Sequence, residues 1–218
     1  MINRFGDSID SIAFTWLVYQ ITGSAAWAAI IFALNMVPTI VLQPFAGAAV
    51  ERRSKKSVMV ISDFIRGFLV IALTAAYVYN MLNPWLMAIF TLTISSVEAF
   101  CLPASTAIIP LILDEEYYTS GISLNSALLT ISQLAGTAIA GILIGIFGIQ
   151  TAILIDAATF FCSALLKLSL KVKEHVNNTV SSGYKQYFTD LREGFTYLRK
   201  KQMFTIITLM VNFGELMR

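Results

Sequence analysis

The sequence predicts an all-α membrane protein with six transmembrane helices and the start of a seventh. Three observations carry that expectation. Hydrophobic residues make up 57% of the 218 positions and charged residues only 13%, against about 25% charged in an ordinary soluble domain. Three stretches, Ser11–Val50, Gly67–Val97 and Tyr117–Ile155, contain no charged residue at all, and a helix needs only ~20 mostly apolar residues to cross a bilayer. Each stretch is also divided by a turn signal, at Thr22-Gly23-Ser24, at Asn80 to Pro84 and at Gly148, because Gly, Asn and Pro interrupt regular backbone. A backbone in lipid must satisfy its own hydrogen bonds, so these segments are expected to be helices.

Taken in order, the expected spans are Phe5–Ile21, Ala25–Val50, Ser57–Tyr79, Trp85–Ile112, Leu124–Phe147 and Ile149–Leu170. Together they form a six-helix bundle over residues 1–170. The first begins almost at Met1, and Asp7 and Asp10 with no small-residue cleavage site argue against a signal peptide. Residues 171–202 read as a connecting segment. Within it Tyr184, Tyr187, Phe188, Leu191, Phe195 and Leu198 recur at spacings of three and four among Lys185, Arg192, Arg199 and Lys200, the pattern of a basic amphipathic helix lying on an anionic leaflet. The seventh span starts near Met203 and stops at Arg218.

The basic residues orient the bundle. The first, third and fifth connections carry no Lys or Arg, whereas Glu51–Lys56 carries four and Lys171–Gln202 carries seven; the fourth, LDEEYYTSGIS, also carries none and is neutral, since acidic residues weigh little in the rule. Basic connections stay on the cytoplasmic side, which places the N-terminus in the cytoplasm. The net charge of +2 is too small, and too tightly clustered beside apolar runs, to point to nucleic acid. Cys101 and Cys162 lie inside apolar spans and read as buried small hydrophobes, and His175 stands alone. No phosphate loop, nucleophile elbow or metal-binding helix occurs in the sequence, so neither an enzyme nor a metal or other cofactor is expected.

An ionisable side chain at mid-membrane costs about 2.5–3.5 kcal/mol on insertion scales and therefore usually faces a cavity with a task. Asp7 and Asp10 lie three apart on the first span, on one polar stripe with Asn3 and Ser11. Glu98 lies near the middle of the fourth span and Asp156 about two turns into the sixth. A carboxylate there suits proton coupling or a cationic substrate. The bland alternatives are pairing of Asp7 with Arg4 and hydrogen bonding of Asp156 to neighbouring helices. Asn125 and Gln133 are expected to share a cavity-lining face. Asp63 and Arg66, three apart on the third span, are expected to pair with each other near the cytoplasm. Gly141 and Gly145, with Gly136 a turn earlier, form a small-residue stripe of the kind that lets membrane helices approach closely.

The stretch Gly47–Lys56 resembles the loop motif G-x-x-x-D-R-x-G-R-K of the major facilitator superfamily, through Gly47, Glu51, Arg52, Lys55 and Lys56. Glu51 stands where the motif has aspartate, and Ser54 where it has glycine. The segments VYQITGSA, VPTIVLQPFAGA, SDFIRG, IDAATFF and DLREGFTYLRKKQMF are similar to the macrolide-efflux and enterobactin-exporter group of that superfamily. The resemblance implies a twelve-helix transporter of which this chain is the N-terminal half. Substrate would lie between the two halves, and the motif would act as a cytoplasmic gate that also includes Asp63 and Arg66. It implies a proton-driven multidrug antiporter of the bacterial inner membrane, exporting a small amphipathic substrate such as a macrolide. A siderophore exporter is the alternative, and a truncated product that transports nothing is another. The implied partners are membrane lipid, the substrate and a C-terminal half. Proton-driven relatives often carry an arginine in the middle of the fourth span, and this sequence has none there. The family's Gly-Pro in the fifth span is here Gly136-Thr137.

Overall fold

A computed structural model describes residues 2–51, 53–112 and 115–170, with the side chains of residues 2, 44, 48, 51 and 115 excepted. The chain divides into Met1–Val176, which forms a helical bundle, and Asn177–Arg218, which lies outside the described residues. The expectations for the amphipathic segment, the seventh span, Arg52 and the Glu51 side chain fall outside the described residues as well.

The described residues form α1 (Ile2–Thr22), α2 (Ala25–Glu51), α3 (Lys55–Val78), α4 (Pro84–Ala107), the single turn α5 (Ile109–Ile112), a 3₁₀ turn (Glu115–Tyr117) and α6 (Tyr118–Ser169). There is no strand among them. Four segments are long and apolar enough to cross a membrane: one in α2, one in α3, α4 continued through α5, and α6. The three turn signals fall where the chain bends. Gly23, Asn80 and Gly148 adopt φ values of 63°, 54° and 80°, a left-handed region that costs glycine little and asparagine less than most residues. Gly148 (ψ 165°) breaks α6 into 118–147 and 149–169.

Helix starts follow capping chemistry. The Ser54 hydroxyl accepts from the Ser57 N–H at 3.2 Å and opens α3. The serine that replaces the motif's glycine is thus the N-cap of a span. Asn83 does the same for α4, accepting from the Leu86 N–H at 2.8 Å ahead of Pro84. The expected fourth span, Trp85–Ile112, is interrupted at Ile108. Pro110 has no N–H to donate to the Thr106 carbonyl and its ring crowds that turn, which weakens the helix there, although α4 does run through Pro103.

In the bundle α1 lies against α6 and α2, α3 against α6 and α4, and α2 against α4. Ile9, Leu17, Val70, Met87, Ile153 and Phe160 fill the interior. Polar groups share that interior, among them Ser62, Asp63, Arg66, Ser95 and Asp156. Ile40, Phe68, Trp85, Leu134 and Ile146 face outward. A large apolar exterior around polar groups is the distribution a lipid solvent selects. Some buried hydroxyls bond back along their own helix, as Thr74 does to the Val70 carbonyl at 2.9 Å, whereas the Thr91 and Ser95 hydroxyls have no partner among the described residues. One sequence expectation needs correction. Cys101 is buried as expected, but Cys162 is exposed on the outer face of the bundle. A Cβ on Gly141 or Gly145 would meet nothing within 4 Å, whereas one on Gly136 would lie 2.6 Å from the Phe5 carbonyl oxygen. Within the described bundle, then, only Gly136 of that stripe admits a close helix, and the helix it admits is α1.

Candidate functional site

Side chains from five helices line a cavity of about 490 Å³, within the range of pockets that take drug-sized ligands. Helical periodicity selects them. On α1 they include Arg4, Asp7, Ser8 and Ser11, on α2 Ala28, Ile31, Phe32 and Asn35, on α4 Thr91, Ile94 and Glu98, and on α6 Gln133 and Thr137. These offsets of three, four and seven place each set on one helix face. Asp10 and, from α3, Arg66 complete the polar part of the wall.

Arg66 is the centre of the charge arrangement. Its guanidinium donates to Asp7 Oδ1 at 2.6 Å, lies 3.8 Å from Glu98 Oε2, and stacks 4.3 Å from the centroid of the Phe160 ring. Arg4 sits opposite, 3.5 Å from Glu98 Oε1 and 4.0 Å from Asp7 Oδ2. Two arginines thus bracket two carboxylates, and the four formal charges cancel. Only the Arg66–Asp7 contact is at hydrogen-bond distance; the other three are looser ion pairs. A planar guanidinium suits this place because it can face two carboxylates and an aromatic ring at once.

The sequence expectation that Asp63 pairs with Arg66 is overturned. Their side chains diverge on α3. Asp63, fully buried, accepts from Lys167 Nζ at 2.6 Å and from Asn3 Nδ2 at 3.1 Å. That contact ties α3 to the end of α6 and to the start of α1, away from the cavity wall. Asn3 therefore leaves the polar stripe expected for it. Nearby, Lys56 Nζ donates to the carbonyls of Leu168 and Leu170 at 2.6 and 2.7 Å and caps the C-terminus of α6, where the orphan carbonyls carry partial negative charge. Gly47 lies within α2 with open space where a side chain would go.

Of the expected pathway residues, Asp7, Asp10, Glu98 and Gln133 line the cavity, whereas Asn125 and Asp156 do not. Asp156 is fully buried behind the wall. A Cβ on Gly6 would lie 2.5 Å from its Oδ1 and 2.0 Å from Thr159 Oγ1, so only glycine lets α1 pass this close to the carboxyl. Sequence reasoning missed Arg4 and Asn35 as wall residues, and it placed Arg66 in the gate motif rather than in the cavity. For Thr91 and Glu98 a signal existed, since positions 91, 94, 95 and 98 follow the spacing of one helix face. For Arg66 none did, because its partners come from α1 and α4.

The family model described as Major Facilitator Superfamily matches residues 1–217. The chain is 25% identical to macrolide efflux protein A of Streptococcus pyogenes over 94% of its own length and 51% of the relative's. It is 28% identical to the staphyloferrin A transporter of Staphylococcus aureus, covering 77% of this chain and 43% of that one. It is 29% identical to the multidrug efflux pump Tap of Mycobacterium bovis, covering 77% of this chain and 41% of that one. The chain spans about half the length, or somewhat less, of the curated relatives it matches. No solved structure matches it.

Proposed function

The chain belongs to the Major Facilitator Superfamily, and from that premise we propose that it is the N-terminal half of a proton-coupled exporter of amphipathic cations such as macrolides. The full transporter would comprise two six-helix halves that rock around a site near mid-membrane. The observation that carries the reading is the Arg4–Asp7–Arg66–Glu98 cluster on the wall of a drug-sized cavity. Ion pairs this loose exchange partners at little cost. An incoming cation draws on Asp7 or Glu98 while the arginines keep the remaining carboxylate from standing alone in a medium of low dielectric. Phe14, Phe32 and Met36 supply the apolar wall for the rest of such a molecule. With Asp10 added, the wall carries three carboxyls against two arginines, which favours a cation over an acidic iron chelator. The relatives named for macrolide and multidrug efflux support this reading, and the staphyloferrin transporter supports the siderophore alternative.

Glu98→Gln in the full-length transporter tests it. Efflux of a fluorescent amphipathic cation from cells falls by ~10-fold or more, the effect of about 1.4 kcal/mol on the rate-limiting step, while the amount of protein in the membrane is unchanged. Undiminished efflux would reduce Glu98 to a packing residue.

The proposal also places the protein in the bacterial inner membrane with its N-terminus in the cytoplasm, on the strength of the basic residues around Arg53 and Lys55. A membrane-impermeant thiol reagent added outside, on a background with both native cysteines replaced, then labels Asn80→Cys and Gly148→Cys but not Ser54→Cys. Labelling at position 54 alone reverses the orientation.

A further inference from the structure

We propose that the charged cavity continues into an apolar annex beside Trp16 and Tyr19, and that this annex binds the far end of an elongated cation whose charge sits at Asp7 and Glu98. The inference rests on the export reading above and narrows its substrate class. It selects cations whose apolar group stands well away from the charge, over compact cations whose apolar groups surround it.

A second cavity, of about 420 Å³, lies along α1 and adjoins the first. Ser11, Ile12 and Thr15 of α1 and Ala28 of α2 line both. The annex adds Trp16, Tyr19 and Ala25. The two cavities differ in chemistry. Arg4, Asp7, Asp10, Arg66 and Glu98 line the first, whereas no charged side chain lines the annex. The Thr15 hydroxyl already donates to the Ser11 carbonyl at 2.7 Å, so it takes little part in the annex as a donor. What the annex offers is rings, methyl groups and an aliphatic side chain.

The rings of Trp16 and Tyr19 lie 6.2 Å apart between centroids, with their planes tilted by 39°, a separation at which aromatic rings attract each other. Both are about half exposed, and neither belongs to the packed interior of the bundle. The residues that α2 contributes are alanines, whose small side chains leave space beside the rings. Aromatic residues on a membrane helix also gather at the lipid–water interface. That role would account for their exposure, but not for a cavity that shares part of its wall with the charged one.

The helix supplies the ruler. Asp7 and Trp16 are nine residues apart on α1, about 13 Å at 1.5 Å per residue. A cation held at Asp7 reaches the indole only through a chain or ring system of that length. Each methylene that leaves water for the annex strengthens binding by about four-fold. The carboxylates thus select the charge, and the annex selects the length of what is attached to it.

The test displaces bound ethidium from the full-length transporter in nanodiscs, using trimethylammonium cations that carry an ethyl, hexyl or dodecyl chain. Longer chains also partition into lipid, so the deciding quantity is the ratio of variant to wild-type inhibition constant at each chain length, in which partitioning cancels. For Trp16→Ala this ratio is expected to be unchanged from unity for the ethyl cation and to rise to ~10-fold for the dodecyl cation. Ala25→Phe fills the annex where Trp16→Ala strips its wall, and the same pattern is expected from it; if Trp16→Ala is not recovered from membranes, Ala25→Phe answers in its place. A ratio that does not depend on chain length overturns the proposal, and Trp16 and Tyr19 then serve the lipid interface or another helix of the transporter. A wild-type transporter that binds neither ethidium nor any of the three cations overturns the export reading and the annex with it. Cations that bind with a flat ratio overturn the annex alone, so the two failures are distinguishable.

Discussion

Asp63 and Asp7 each face a basic side chain at 2.6 Å, yet the two contacts do different things. Asp63 is fully buried, both its oxygens are satisfied, and its partners Lys167 and Asn3 lie on other helices that it clamps together. Asp7 lines a cavity, and its arginine is shared with Glu98 at 3.8 Å while Arg4 waits at 4.0 Å. One arrangement is saturated and has a single geometry. The other has slack, with more acceptors than close donors. A saturated buried pair is a structural tie, and a slack cluster beside a cavity can rearrange around a ligand. Distance alone does not separate these roles; the number of competing partners does.

The comparison is broken most severely at Arg66. Arg66→Met leaves Asp7 and Glu98 facing only Arg4 at its longer distances, and removing one partner of a buried charge group costs about 3–5 kcal/mol. A thermal melt of the full-length protein in detergent reads this as a large drop in midpoint together with lost efflux. Arg66→Lys restores part of the stability but little of the transport, since an ammonium cannot fork to two carboxylates and stack on Phe160. Wild-type stability in Arg66→Met would show that the cluster is ornamental.

The Asp63 tie should behave differently. Asp63→Leu or Lys167→Leu alone costs about 1–3 kcal/mol, lowered from the fully buried case because Lys167 is partly exposed. The double variant regains most of that loss, because no charge is left stranded, and efflux survives in it. Costs that simply add, or efflux that vanishes in the stable double variant, would place Asp63 in the transport machinery after all.

The smallest effect sharpens the packing side of the contrast. Gly136→Ala drives a methyl against the Phe5 carbonyl at 2.6 Å and costs about 1–3 kcal/mol. Gly141→Ala enters open space and stays within ~0.5 kcal/mol of wild type. Equal effects at the two positions would mean that α1 and α6 are not held together at Gly136.

Much of this is legible along the chain, element by element. Gly23, Asn80 and Gly148 announce their turns, because positive φ and broken helical bonding are local requirements that residue type answers. Ser54 reads in the sequence only as a departure from a motif, and its capping role needs the Ser57 N–H in place. Asp7, Asp10 and Glu98 are visible as charges in apolar runs, since the cost of placing them there is a property of the residue and the medium. Asn125 misses the cavity although Gln133, eight residues further along α6, lines it, because a shared helix face does not say how far along the helix the cavity extends. Cys162 faces outward because in a membrane bundle an apolar neighbourhood does not mean the inside.

By itself, then, the sequence determined the helical class, the turns and the presence of buried charge, all of which follow from short-range bonding and from transfer into lipid. It left undetermined which charge meets which. Arg66 is three residues from Asp63 and 59 from Asp7, yet its contact is with Asp7, because the packing of α3 against α4 and α6 aims it into the cavity while Asp63 turns toward Lys167 of α6. That Asp10 and Asp156 form no ion pair among the described residues was also decided only by tertiary structure. An ion pair is a relation across helices, set by their packing, and no spacing within one helix records it.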